Sequence, residues 1–238
     1  MLRFLGRGSA FADEQNSAFF TCGSDLVLID LAMSGFHKVK RFDLDTMYDK
    51  PIETVYVLVT HTHSDHCGGI PMLIHLAFYV WHKPVVVVAP NEEISSDLEY
   101  LIDRLDGCDR NGYKLITSKQ LNKEWFVEAV PTDHVPSLKG RCFGYRLKVG
   151  DTPVIYTGDT CTLEPFKPYI TPGTILYTEA AAIDSGVHIF LKDHLSYLTE
   201  QTAAGTAVYL MHLDNEEKIA KMIEGTDIQL APLYNVQV

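Results

Sequence analysis

His61, His63, Asp65 and His66 fall within six positions, in the stretch THTHSDHCGG at residues 60–69. Imidazole nitrogen with carboxylate oxygen is a ligand mixture that suits zinc, and iron or manganese less exclusively. His61 and His63 are two apart, so on an extended segment both rings point to one side and can grip one ion. Asp65 and His66 come as the chain turns into a helix, within reach of a second ion. A chance HxHxDH is expected in about one in a thousand sequences of this composition, which makes a row of merely solvated histidines the weaker reading.

Two ions need more ligands, and the sequence offers them downstream. His134 in VPTDHVP follows the apolar run EWFVEAV, Asp159 in YTGDT follows PVIYTG, and His212 closes YLMHLD. Singly each is weak evidence, since an aspartate after Gly158 can simply cap a turn. Together they fill a pattern: His61, His63 and His134 on one ion, Asp65, His66 and His212 on the other, and Asp159 bridging both.

The elements that must carry these groups are short, β-branched apolar runs: LRFL, DLVLID, TVYVLVT, PVVVVAP, EWFVEAV, FGYRLKV, PVIYTG, TILYTE, AVYLMH and DIQLAP. Helix candidates lie between them at 69–82, 92–106, about 197–204 and 214–224, the last with Asp214 as N-cap and Gly225 as stop. The alternation predicts a layered α/β protein. His61, His134, Asp159, Glu179 and His212 all come at or just after strand candidates, where rigid sheets usually mount functional groups. The segment 33–54 reads either as a helix plus a loop or as a partner-facing insertion. No internal repeat is apparent.

Composition sets the frame. The 238 residues fit one domain, 1–238, and 46% hydrophobic with 21% charged residues is a soluble globular balance. No apolar run has the length of a membrane span, and the first twenty residues lack a signal-peptide core, so a cytoplasmic location is expected. The five scattered cysteines form no CxxC pair, which argues against a disulfide framework or a cysteine zinc knuckle. A net charge of −11 disfavours large nucleic acids.

These residues resemble the metallo-β-lactamase superfamily of dinuclear hydrolases over nearly the whole chain. HxHxDH is its most specific motif; DLVLID with Asp30 resembles the strand before it, YTGDT the bridging aspartate, and the final strand with His212 the last ligand. The resemblance implies an αββα sandwich of two packed mixed sheets flanked by helices, two divalent ions, zinc first and manganese or iron second, and a homodimer. A cysteine at Asp159 would resemble the true β-lactamases, and a glutamate at His63 the flavodiiron branch; neither is present.

Within the superfamily the chain looks most like the tRNA 3′-processing endonucleases and the compact cyclic-nucleotide phosphodiesterases. Glu179 in ILYTEAAA stands where the first branch has a His-Glu-Ala-Thr motif, and His194 in DHLSYL matches its proton-donating histidine. Thr178 replaces the histidine of that motif, and the Asp159–Glu179 stretch is too short for a tRNA-clamping arm. The resemblance therefore implies a phosphodiesterase for small phosphodiesters such as cyclic nucleotides. A metal-held hydroxide would attack phosphorus, with Asp65 orienting it, His194 protonating the departing oxygen and Glu179 helping to hold that histidine. An endoribonuclease, an ester, thioester or lactone hydrolase on the same scaffold, and a non-catalytic binding member are the alternatives.

His37, His75, His82 and His188 match no motif position and read as core or surface histidines. Cys67 reads as a small apolar residue in a helix's first turn. Lys139, Arg141 and Lys192 flank the site loops but read as solvated charges, and Ser196 and Tyr197 beside His194 are weaker candidates still.

Overall fold

A computed structural model describes residues 1–46 and 50–234. The chain divides into two compact units, one formed by Leu2–Gly6, Asp13–Asn122 and Leu233–Val238, the other by Met1, Arg7–Ala12 and Lys123–Pro232.

The first unit holds a six-stranded sheet in chain order: β1 (Arg3–Gly6), β2 (Ser17–Cys22), β3 (Asp25–Ile29), β4 (Thr54–Leu58), β5 (Val85–Ala89) and β6 (Tyr113–Thr117). The β1–β2 and β2–β3 pairs are antiparallel; β3 to β6 run parallel. Every residue of β3 is buried, the continuous apolar signature of a strand covered on both faces. The helices are α1 (Met33–Val39), α2 (Ser64–Cys67), α3 (Ile70–Leu76) and α4 (Glu92–Glu99). The 69–82 expectation is met by α3 continued by a π turn over Ala77–Trp81, and the 92–106 expectation by α4 continued by a second π turn over Tyr100–Leu105. Asn91 caps α4, its side-chain oxygen accepting from Ile94 N at 2.9 Å. In the 33–54 segment a helix is followed by turns; residues 47–49 lie outside the described residues.

The second unit repeats this topology without repeating the sequence. Its strands are β7 (Phe126–Pro131), β8 (Phe143–Val149), β9 (Thr152–Tyr156), β10 (Ile175–Glu179), β11 (Ala207–Met211) and β12 (Gln229–Leu230), neighbours in chain order. The first three are joined antiparallel, and β9 to β12 run parallel. Helices α5 (Leu191–Ala203) and α6 (Glu216–Met222) complete it. Phe166, Leu176, Ile189, Leu198, Leu210 and Ile219 anchor its apolar core.

Two expectations need correction here. Helix α5 begins at Leu191, six residues before the expected start at 197, and takes in His194; Phe190 at its N-cap makes no side-chain cap bond, so no local signal marks this end. Asn215, not Asp214, caps α6, accepting from Lys218 N at 2.9 Å, while the Asp214 carboxylate accepts from Ala182 N and Ile183 N.

Candidate metal centre

In each unit the strands deliver polar side chains at their carboxyl ends. In the first unit, Asp30 follows β3 directly and His61 comes three residues after the end of β4. Asp30 has φ 55°, a left-handed conformation that few residues other than glycine adopt and that aspartate tolerates. Its fully buried carboxylate accepts from Thr60 N and Thr60 Oγ1, each at 2.8 Å, and meets His66 Nδ1 at 2.8 Å. Burial pushes the Asp30 carboxyl up, against the downward pull of His66 and of the Thr60 donors.

His63 is the N-cap of α2, so the chain passes from an extended stretch into a helical turn inside the motif. His61 Nε2 and His63 Nδ1 stand 2.9 Å apart, and His66 Nε2 and Asp65 Oδ2 3.3 Å apart. The rings of His61 and His66 pack at 4.0 Å between centroids. Cys67 is buried with its sulfur 3.5 Å from Thr62 O, and desolvation pushes its thiol up to about 12, in keeping with a packing residue.

In the second unit the carboxyl ends of β7, β9, β10 and β11 supply His134, Asp159, Glu179 and His212. Asp159 is 2% exposed, and its Oδ2 faces His212 Nε2 at 3.4 Å and His134 Nε2 at 3.7 Å. His212, the residue after β11, has φ 50°, a second left-handed non-glycine position among these side chains. His134 Nδ1 donates to Val187 O at 2.8 Å, which makes Nε2 the unprotonated nitrogen of the neutral ring.

Glu179 is buried, with Oε1 accepting from Thr160 N and Oε2 2.5 Å from His188 Nδ1. Desolvation pushes its carboxyl up to about 7, opposed by the hydrogen bond to His188 and reinforced by Asp159. His188 is the residue that sequence reasoning passed over. Its ring lies 4.8 Å from that of His134 and 5.3 Å from that of His212, and it groups with Asp159 and His212 as a possible ligand set. Nothing in SGVHIF announces this. The β10–α5 connection folds back through Ala181 N to Ile189 O at 2.8 Å and Leu191 N to Ala181 O at 3.0 Å, and so carries His188 to the strand ends.

His194 is carried by α5. It is half-buried, and desolvation lowers its pKa; its charged neighbours are Asp193, Lys167 and Glu164, whereas those of Glu179 are His188, Asp159 and His212. The imidazole bonded to Glu179 is His188, where the resemblance implied His194.

The side chains fit a divalent metal. Two nitrogen or oxygen donors about 2.0–2.1 Å from one tetrahedral ion stand about 3.3 Å apart, the separation found within His61/His63, Asp65/His66 and Asp159/His212 to a few tenths of an ångström. The hydrogen bonds from His66 to Asp30 and from His134 to Val187 are of the kind that fixes ligand tautomers and ring orientation around metals.

Comparison with known proteins identifies the fold and the family. The crystal structure of the metallo-β-lactamase fold protein YhfI from Bacillus subtilis superposes with a TM-score of 0.72 over 99% of this chain and 98% of its own, at 19% identity. Human tRNase Z, short form, does so with a TM-score of 0.64 over 100% and 99%, at 14% identity. The two mixed sheets and their helices are thus the metallo-β-lactamase fold. In sequence, the anti-Pycsar protein Apyc1 of Bacillus phage BSP38 is 29% identical over 240 residues, covering 91% of this chain and 90% of its own. The family model described as anti-Pycsar protein Apyc1 matches residues 1–230. A match that spans every ligand candidate from His61 to His212 settles the family: the chain belongs to the anti-Pycsar Apyc1 family.

Proposed function

We propose that this protein is a metal-dependent phosphodiesterase that opens small cyclic phosphodiesters, 3′,5′-cyclic nucleotides being the substrate class. The observation that carries the reading is the buried Asp159 carboxylate faced by His134 Nε2 and His212 Nε2, in a chain matched by the family model over residues 1–230.

His61, His63 and His134 would hold one ion and Asp65, His66 and His212 a second, with Asp159 available to both. Zinc suits this nitrogen and oxygen set best. Bound there, such ions would supply Lewis acidity toward the phosphoryl oxygens and would lower the pKa of water toward neutrality. Asp65 accepts a hydrogen bond from the attacking water and orients it. His194 gives a proton to the departing ribose oxygen. Glu179 acts through His188, accepting from its Nδ1 and so holding the ring that stands between His134 and His212. The acidic balance of the chain, 31 against 20, favours a small substrate over a polynucleotide.

One family match running through both units supports reading 1–238 as a single functional domain. Among the described residues no helix is long and apolar enough to cross a membrane. Action in the cytoplasm, where cyclic nucleotides reside, and assembly as a homodimer belong to the same proposal. Tyr79, Val80, Tyr100 and Leu105 on the two π turns offer exposed apolar side chains that a second copy would cover.

Hydrolysis of a cyclic nucleotide in ¹⁸O-labelled water tests the chemistry. Attack at phosphorus places one label in the phosphate of the product monophosphate. An unlabelled phosphate, or an untouched substrate, would count against the proposal.

A further inference from the structure

A second kind of donor cluster lies in the first unit among residues that none of the phosphodiesterase chemistry uses. His75 is on the last turn of α3, and Asp106 and Cys108 follow the second π turn. His75 Nε2 stands 2.9 Å from Asp106 Oδ1 and 3.7 Å from Cys108 Sγ, and the three donor atoms all lie within 4.8 Å of one another. The π turn makes the meeting possible. Its wide hydrogen bonds, Asp106 N to Leu101 O at 3.1 Å and Cys108 N to Ile102 O at 3.0 Å, carry the chain back toward α3. Gly107, at φ 68°, then turns the cysteine inward.

A cysteine, a histidine and an aspartate in contact invite comparison with a nucleophile and its relay, but the geometry is wrong for one. A relay needs the carboxylate on one ring nitrogen and the thiol on the other. Here the same nitrogen, Nε2, faces both. Convergence of three donors on one point is the arrangement of a metal site. Around a tetrahedral zinc ion a sulfur at about 2.3 Å and a nitrogen at about 2.0 Å stand about 3.6 Å apart, and the sulfur–nitrogen distance is 3.7 Å. Cys108 is 4% exposed, while the His75 and Asp106 side chains are 30% and 38% exposed, which leaves a fourth position open to water.

We propose that His75, Asp106 and Cys108 form a separate, single-ion site for zinc or a metal of similar softness, tying the end of α3 to the turn after the second π segment. On binding, the Cys108 thiol gives its proton to solvent and the sulfur–metal bond replaces the sulfur–hydrogen bond. Thiolate with imidazole and carboxylate excludes magnesium and calcium as preferred occupants, since those ions take oxygen ligands. This site does not depend on the phosphodiesterase reading.

The proposed dinuclear centre has only histidine and aspartate ligands, so a thiolate signal separates the two kinds of site. The intact chain, stripped of metal and titrated with cobalt(II), is followed by its near-ultraviolet thiolate-to-cobalt charge-transfer absorption and by bound metal per chain. The expected result is a charge-transfer band in the unaltered protein. It is lost in Cys108→Ser and in the more exposed His75→Asn, each with one metal equivalent fewer per chain and unchanged phosphodiester turnover. A protein saturated with cobalt that shows no such band, or a band that survives both substitutions, overturns the proposal.

Discussion

His66 Nδ1 lies 2.8 Å from Asp30 Oδ2, with both side chains sealed from solvent, and this carboxylate holds the proton on Nδ1, so that Nε2 is the nitrogen turned to the proposed metal. Asp30 is no ligand itself. Its left-handed backbone and its two bonds from Thr60 hold it in the one orientation that serves His66.

Replacing Asp30 by alanine therefore strips a buried histidine and a buried threonine of their common acceptor. The expected cost is about 3–5 kcal/mol of stability, as for other broken buried pairs, together with a loss of about 10–100-fold in metal affinity. Denaturant unfolding of the metal-free protein measures the first and competition with a chelator the second.

Glu179 divides its two oxygens between Thr160 N and His188 Nδ1. Glutamine can offer only one acceptor oxygen, so one of these bonds fails in Glu179→Gln. Turnover should fall about 10–100-fold through misplacement of His188, with metal content retained. His188→Ala in the same background should then add little, because both changes act through one contact.

For His194 the expected signature is a lower kcat with both metals still bound, by a factor of about 10²–10⁴. Its pH dependence has a definite sign. Burial lowers its pKa below 6.5, and a proton donor must be protonated, so kcat/KM falls as pH rises through a value below 6.5. This limb should be absent from the profile of His194→Ala. Loss of metal in that variant would refute the assignment.

Gly144 in β8 tests the frame that holds Asp159. A Cβ there would stand 2.5 Å from the carbonyl oxygens of Tyr156 and Thr157 and 2.6 Å from the Phe166 ring. Gly144→Ala is expected to cost about 1–3 kcal/mol, which for a chain of this size lowers Tm by roughly 2–4 °C per kcal/mol. Thermal unfolding checks this directly.

The parts legible in the sequence were those with local causes. HxHxDH declares itself because its four residues fall where an extended segment enters a helix, and the strand runs declare themselves by β-branched continuity. The π turns after α3 and α4 do not, since their apolar spacing is that of ordinary helices. His188 was invisible because its partner, Glu179, is brought to it by a backbone fold-back at Ala181 rather than by any spacing. The start of α5 carries no local signal because Phe190 offers no side-chain cap, so the residue pattern alone does not place His194 inside the helix.

The most direct test of the phosphodiesterase account is turnover of 3′,5′-cyclic pyrimidine and purine nucleotides beside a precursor tRNA and a simple lactone, with bound metal determined on the same sample before and after chelation. The expected result is conversion of a cyclic nucleotide to its monophosphate with two ions bound, abolished by chelation and restored by zinc. A protein that holds both ions yet leaves every cyclic nucleotide intact while hydrolysing the lactone or the tRNA would contradict it.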